Sequence, residues 1–211
     1  MLDTNVFDMW ANGYDTEVQL TDDNNKYPFA GYKKVMNAIY TAVMQKNPTN
    51  VLDIGIGTGT LALKLYEHGN NITGVDFSNE MLSIAKSKMP TANFYQFDFA
   101  HGLPPELSEA KYDFIISTYA LRHLTDSLKI TFIKSLLRYL NDDGLILIGD
   151  IGFPTKFEFD ECRMQHSPND WDDDEYYFVF SEICNRLGDS CLVSYEQISH
   201  CAGIMEIRSL G

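Results

Sequence analysis

Apolar positions recur along the chain with two alternating periods. Between residues 28 and 46, Val35, Ile39, Ala42 and Val43 fall at i, i+4, i+7 and i+8, which predicts an amphipathic helix. Residues 50–55 form a short apolar strand pattern, 58–68 a helix stopped by Gly69, and 71–76 a second strand. Ser78 is placed as an N-cap, with Met81, Leu82 and Ala85 behind it in a helix that ends at Pro90. Residues 92–98 alternate as a strand, 112–118 read as a buried strand, 125–140 as a helix capped by Thr or Asp, and 145–150 as a fifth strand. Beyond Asp150 the rhythm breaks. Residues 151–173 read as irregular, 174–187 as a helix ending at Gly188, and 190–198 and 201–208 as two strands. Too few residues separate those strands for a helical crossover, so they should pair antiparallel at the sheet edge. The fold class expected is α/β: a Rossmann-like doubly wound sheet, mostly parallel, with an antiparallel C-terminal edge hairpin.

Composition narrows what such a sheet serves. The chain has 211 residues, 30 Asp and Glu against 16 Lys and Arg, and a formal charge of -14. That length suits one domain. The acidic excess argues against nucleic acid or anionic lipid as a partner. Residues 1–25 hold six acids and no Lys or Arg, residues 26–150 hold twelve of each sign, and residues 151–211 hold twelve acids and four bases. A neutral middle thus lies between two acidic ends, which solubility alone explains unless those ends face a substrate. The four cysteines lack metal-ligand spacing, no apolar run is long enough to span a bilayer, and Met1 to Trp10 has no signal-peptide pattern. A cytoplasmic location and no metal are the expectations.

The chemistry is concentrated where the first strand meets the next helix. Asp53-Ile54-Gly55-Ile56-Gly57-Thr58-Gly59 is a glycine-rich turn at a strand's carboxyl end, the place where open α/β sheets bind ligands. Asp76, 21 positions after Gly55 and at the end of the second strand, can accept the two hydroxyls of a ribose. A dinucleotide site requires G-x-G-x-x-G, yet Thr60 stands at the third glycine's position. Asp53 is a poor neighbour for a pyrophosphate and a good one for an ammonium group. Asp98, closing the third strand, suits an adenine amino group. Adenosine, a free amine and no phosphate together describe S-adenosylmethionine.

Taken with Gly74-Val75-Asp76-Phe77-Ser78, Tyr112 to Ser117 and Asp143 to Ile148, these motifs resemble those of class I S-adenosylmethionine-dependent methyltransferases in order and spacing. Phe7-Asp8-Met9-Trp10-Ala11 with Tyr14-Asp15, Ser117 to Asp126 and Asp174 to Tyr177 resemble more closely a small group of uncharacterised Bacillus- and Clostridium-type methyltransferases, extending the likeness over nearly the whole chain. The resemblance implies cofactor contacts from Asp53, Gly55, Gly57, Gly59, Asp76, Phe77, Asp98, Phe99, Thr118 and Tyr119, with S-adenosylhomocysteine as product. It also implies one domain, with residues 1–47 a helical lid that includes Trp10, Tyr14, Tyr27 and Tyr32. Residues 48–150 would be the cofactor-binding core and residues 151–211 the acceptor side.

Methyl transfer from a sulfonium needs alignment above all, and a general base only when the acceptor is protonated. Candidates for that base are His123 and Tyr119, with Tyr14, Tyr32 and His166 as further acceptor-side residues; His123 equally suits a capping role. The fourth strand ends Ser117-Thr118-Tyr119-Ala120 and lacks the Asn/Asp-Pro-Pro-Tyr box that resembling enzymes use on nucleobase amines. A small-molecule acceptor is expected, on a monomer or homodimer. A non-catalytic cofactor sensor is the alternative.

Overall fold

A computed structural model describes residues 21–167 and 170–210. Tyr14, Trp10 and the rest of residues 1–20 of the expected lid lie outside them; residues 21–47 of it, with Tyr27 and Tyr32, lie within them. Helix α1 (Tyr32–Met44) turns Val35, Met36, Ile39 and Val43 onto the core, as the i, i+4 spacing predicts. The wound core follows: β1 (Asn50–Ile54), α2 (Thr60–Glu67), β2 (Asn71–Asp76), α3 (Asn79–Lys88), β3 (Asn93–Gln96), β4 (Tyr112–Thr118), α4 (Asp126–Leu136) and β5 (Leu140–Phe153). Ser78 caps α3 by accepting from the Met81 N–H, and Thr125 caps α4 by accepting from the Leu128 N–H.

β1, β2, β3, β4 and β5 pair in parallel in the order β3-β2-β1-β4-β5. The hairpin β7 (Cys191–Gln197) and β8 (Ala202–Ser209) closes that side, with β8 antiparallel to β5 and β7 outermost. The strand order reverses between β1 and β4, which opens the switch-point crevice at their carboxyl ends. Core side chains cover both faces of the sheet: Val35, Ile39, Leu61 and Ile116 on one, Ile54, Ile115, Ile133 and Ile148 on the other.

Three expectations for the C-terminal third need correction. β5 runs on to Phe153, and Thr155 caps a helix α5 (Lys156–Met164) inside the stretch read as irregular. α5 buries only Cys162 within its span, with Phe159 packed partly against the core, so its apolar stripe is too narrow to register as a helical period. The next helix, α6 (Phe180–Leu187), begins six residues later than expected, because Phe178–Val179 form a short strand, β6, beside the end of β5. Residues 174–177 are held non-helical by contacts to the turn after β4, described below. All four cysteines are free thiols; Cys162, Cys191 and Cys201 are buried as core hydrophobes. Among the described residues no helix is long and apolar enough to cross a membrane.

Candidate functional site

Glycine shapes the first wall of the crevice. Gly55 and Gly57 have φ of 70° and 56°, the left-handed region that glycine adopts without strain. A Cβ on Gly55 would stand 2.3 Å from the Ala120 Cβ, whereas one on Gly57 would meet nothing within 4 Å and would project into open space. The absence of a side chain at Gly57 therefore keeps backbone accessible from the crevice. The turn is laced to the end of β2 by the Gly55 and Ile56 N–H groups donating to the Val75 carbonyl at 2.8 and 3.2 Å, and Lys88 Nζ donates to the Thr58 carbonyl at 3.0 Å.

Two carboxylates flank this turn. Asp76 Oδ2 accepts from the Gly57 N–H at 2.9 Å and Oδ1 from the Ser78 N–H at 2.9 Å, so the backbone fixes the plane of the carboxylate. Each oxygen keeps a second acceptor site. Asp53 is fully buried at the head of the turn, and its Oδ1 has no hydrogen-bond partner among the described residues. Burial, reinforced by the neighbouring Asp76 charge, pushes the Asp53 carboxyl up to about 8. A buried carboxyl with an open acceptor is costly unless a donor fills it. A primary ammonium would both supply that donor and restore the carboxylate's charge.

The second wall continues along β2 and β3. Phe77 follows Asp76 and leaves 67% of its surface exposed, an uncovered aromatic face beside the crevice. Asp98 caps a short 3-10 turn by accepting from the Ala100 N–H at 2.9 Å and is 57% exposed, with its Oδ2 3.8 Å from His101 Nε2. Phe99 turns inward instead, its buried ring 6.0 Å from Phe132 in the core and its edge close under the Gly55 turn.

Beyond β4 the expected residues separate. Thr118 is the last residue of the strand. The Tyr119 ring stacks on Tyr32 at 4.8 Å and 27°, with Phe29 beside it at 5.6 Å. The Tyr119 hydroxyl is buried without a partner among the described residues, and burial drives its ionisation well above the usual range. Burial and the Asp53 charge push Tyr32 up to about 12. Neither phenol is disposed to act as a base near neutral pH. His123 lies on a 3-10 turn with its side chain 56% exposed and Nδ1 3.7 Å from Glu175 Oε1. His166 is farther along the chain and packs into another cluster: its Nδ1 is 2.8 Å from the Cys162 carbonyl and its ring 4.7 Å from Tyr27. Tyr27 stacks on Trp171 at 4.9 Å and 3°, and its hydroxyl meets that of Tyr177.

An ion-pair network not expected from the sequence joins these parts. Arg122 Nε donates to Glu175 Oε1 at 2.7 Å, and Arg122 Nη1 lies 3.5 Å from Asp150 Oδ1. Lys129, fully buried, lies 3.2 Å from Asp126 Oδ1, donates to the Tyr176 carbonyl and stands 4.5 Å from the Phe178 ring. Desolvation lowers the Lys129 ammonium from its ordinary range. Arg122 and Glu175 both fall within the segments that carried the closer family likeness, but nothing in their spacing, 53 residues, announced a pair.

A polar groove of about 870 Å3 opens at the opposite, amino-terminal end of β1, β2 and β3. Its polar groups pair with one another, as in Asn71 Nδ2 to Asn50 Oδ1 at 3.0 Å and Tyr66 to Thr91 at 2.7 Å, and the acids and glycines described above lie at the other end of the sheet. Among the described residues no three His, Cys, Asp or Glu side chains are grouped to hold a metal ion.

Residues 51–144 match the family model of a methyltransferase domain. The chain is similar to an uncharacterized methyltransferase of Bacillus cytotoxicus, 32% identical over 216 residues and 95% of each chain, and to one of Bacillus mycoides at the same identity and coverage. Among solved structures it is similar to an S-adenosylmethionine-dependent methyltransferase from Clostridium acetobutylicum, with a TM-score of 0.69 and 16% identity over 95% of this chain and 100% of that one. It is also similar to the magnesium protoporphyrin IX methyltransferase of Synechocystis with bound S-adenosylhomocysteine, with a TM-score of 0.68 and 20% identity over 98% and 95% of the two chains.

Proposed function

The chain belongs to the methyltransferase family of its Bacillus relatives, and we propose that it transfers a methyl group from S-adenosylmethionine to a small-molecule acceptor by in-line displacement. The observation that carries this reading is the buried Asp53 carboxyl at the head of a glycine turn, its Oδ1 without a hydrogen-bond partner among the described residues, adjacent to an Asp76 carboxylate whose plane is fixed by two backbone N–H groups. An amino group answers the first and a ribose diol the second. When bound, S-adenosylmethionine supplies an electrophilic methyl on a good leaving group.

In this reading Gly55, Gly57 and Gly59 admit the methionine portion against backbone, Asp53 receives its ammonium and Asp76 its ribose. Phe77 packs on the adenine and Asp98 accepts from the adenine amine, with the Phe99 backbone beside it. Thr118 and Tyr119 border the sulfonium, and the buried phenol of Tyr119 serves as a packing surface. His123 stands at the acceptor side with Glu175 as its carboxylate neighbour, available as a base when the acceptor carries an acidic proton. Residues 151–211 supply the acceptor wall.

The acceptor is neutral or cationic. Arg122 and Lys129, the buried cations on this side among the described residues, are already engaged by Glu175, Asp150 and Asp126, and so offer an anionic acceptor little compensation. Calorimetry with S-adenosylmethionine, S-adenosylhomocysteine and NAD tests the cofactor: absence of binding by the first two ends this reading. Incubation of labelled S-adenosylmethionine with a cytosolic metabolite pool tests turnover, and binding without any labelled product would make the protein a sensor.

A further inference from the structure

The turn after β4 holds a backbone geometry that its side chain disfavours. Tyr119 has a φ of 52°, in the left-handed region where a Cβ crowds the backbone. Two hydrogen bonds keep it there: its N–H donates to the Gly149 carbonyl at 2.8 Å, and its carbonyl accepts from Arg122 Nη1 at 2.6 Å. The guanidinium is fixed in turn by Glu175 through Nε and by Asp150 beside Nη1. The Arg122 backbone is held as well, its N–H donating to Asp150 Oδ2 at 3.2 Å and its carbonyl accepting from the Tyr176 N–H at 2.8 Å. Only 11% of the side chain is exposed, and its charged end lies 5.7 and 5.8 Å from the Phe29 and Tyr119 rings. Arg122 thereby ties together the turn, the end of β5 and the segment 174–177.

The same turn touches the glycine turn. Ala120 Cβ fills the space in which a Gly55 side chain would begin. Any movement of residues 119–122 is therefore felt at the head of the crevice, where Gly55 and Asp53 lie.

We propose that Arg122 is a positioning residue for the cofactor site, a statement that rests on the reading of this crevice given above. By clamping Tyr119 in the left-handed geometry it seats Ala120 against Gly55 and holds the glycine turn ready for S-adenosylmethionine, while anchoring the acceptor wall through Glu175. A lysine cannot replace it, because one ammonium cannot reach the Glu175 carboxylate and the Tyr119 carbonyl with the directed geometry of a planar fork.

The test measures S-adenosylhomocysteine binding by calorimetry, at a temperature where each protein is folded, for wild type, Arg122→Met, Arg122→Lys and Lys129→Met. Lys129 is the control, since it is a buried cation that also braces Tyr176 but makes no contact with Tyr119 or Ala120 in the contacts above. Arg122→Met is expected to weaken binding about tenfold or more, and Arg122→Lys nearly as much, because a binding geometry displaced by about 1 Å loses affinity on that scale. Lys129→Met is expected to stay within about twofold even where it lowers the melting temperature. In protein carrying carbon-13 tyrosine, the Tyr119 backbone shifts should leave their left-handed values in Arg122→Met and keep them in Lys129→Met.

Unchanged affinity in Arg122→Met, equal loss in Lys129→Met, or unmoved Tyr119 shifts would each overturn the proposal. If Arg122→Met does not fold, Glu175→Gln replaces it, with a loss of about threefold expected from weakening one charge-assisted bond and unchanged affinity counting against the proposal. Wild-type protein that binds no S-adenosylhomocysteine would refute the cofactor reading itself, an outcome distinct from wild-type binding with indifferent variants.

Discussion

Replacing Asp53 with Asn should stabilise the fold as pH rises while weakening the site. The Asp53 carboxyl is fully buried and pushed up to about 8, against 3.8 for an unperturbed Asp, so the folded chain holds its proton more tightly than the unfolded chain does. This is the reverse of the usual depressed carboxylate. The contribution is fully present below about pH 4 and is lost as pH rises toward 8. At 1.36 kcal/mol per unit, the fold forfeits on the order of 4 kcal/mol between pH 4 and pH 7. An Asn side chain of the same shape does not ionise and does not forfeit it. Whatever constant cost the amide carries, the difference in unfolding free energy between Asp53→Asn and wild type should therefore grow with pH, by on the order of 4 kcal/mol from pH 4 to pH 7. In a chain of this size that is about 10 °C in melting temperature.

Urea titrations at half-unit pH intervals measure it, and stability curves that run parallel for the two proteins would refute the burial argument. Binding provides the matching measurement. An ammonium group can be met only by an ionised Asp53, so wild type near pH 7 should release close to one proton as S-adenosylmethionine binds, seen as a dependence of the calorimetric enthalpy on the buffer's ionisation heat. Asp53→Asn should release none from this group and bind more weakly. A buffer-independent enthalpy in wild type would mean that the ammonium goes elsewhere.

Other consequences are simpler. Asp76→Ala should weaken S-adenosylmethionine by about 2 to 4 kcal/mol, since two charge-assisted hydrogen bonds are lost, and calorimetry showing unchanged affinity would mean that the ribose lies elsewhere. Phe77→Ala should leave stability within about 0.5 kcal/mol of wild type, because the ring is exposed, while weakening S-adenosylhomocysteine by about 1 kcal/mol; the two are separated by urea unfolding and calorimetry. Gly57→Ala should cost about 1 kcal/mol of stability for its positive φ and lose more affinity than that, because the added methyl projects into the crevice. If the acceptor proves to be a polyanion that binds more tightly at low salt than at high, the assignment of a neutral or cationic acceptor is wrong.

What the sequence determined by itself is the part written in short range. Helical and alternating periods located the wound core through β5, because each element there buries a face whose period is visible within one window. The glycine turn, Asp53 and Asp76 were legible as a group because β1 and β2 are parallel neighbours in register, Asp53 opposite Gly74, which brings residues about twenty apart in sequence to one edge. The hairpin after residue 190 was legible from its short connection.

Tertiary structure decided the rest. α5 was hidden because it buries one narrow stripe, and residues 174–177 gave up their helical pattern to contacts with Arg122 and Lys129. The sequence drew attention to His123 and Tyr119, but the fold turns the Tyr119 hydroxyl inward and leaves His123 largely exposed. Its neighbour Arg122 went unremarked, because what makes an arginine matter there is a pair of carboxylates 28 and 53 residues away. No local window contains such a pair: its value comes from desolvation and a low dielectric, which exist only once the chain has closed around it.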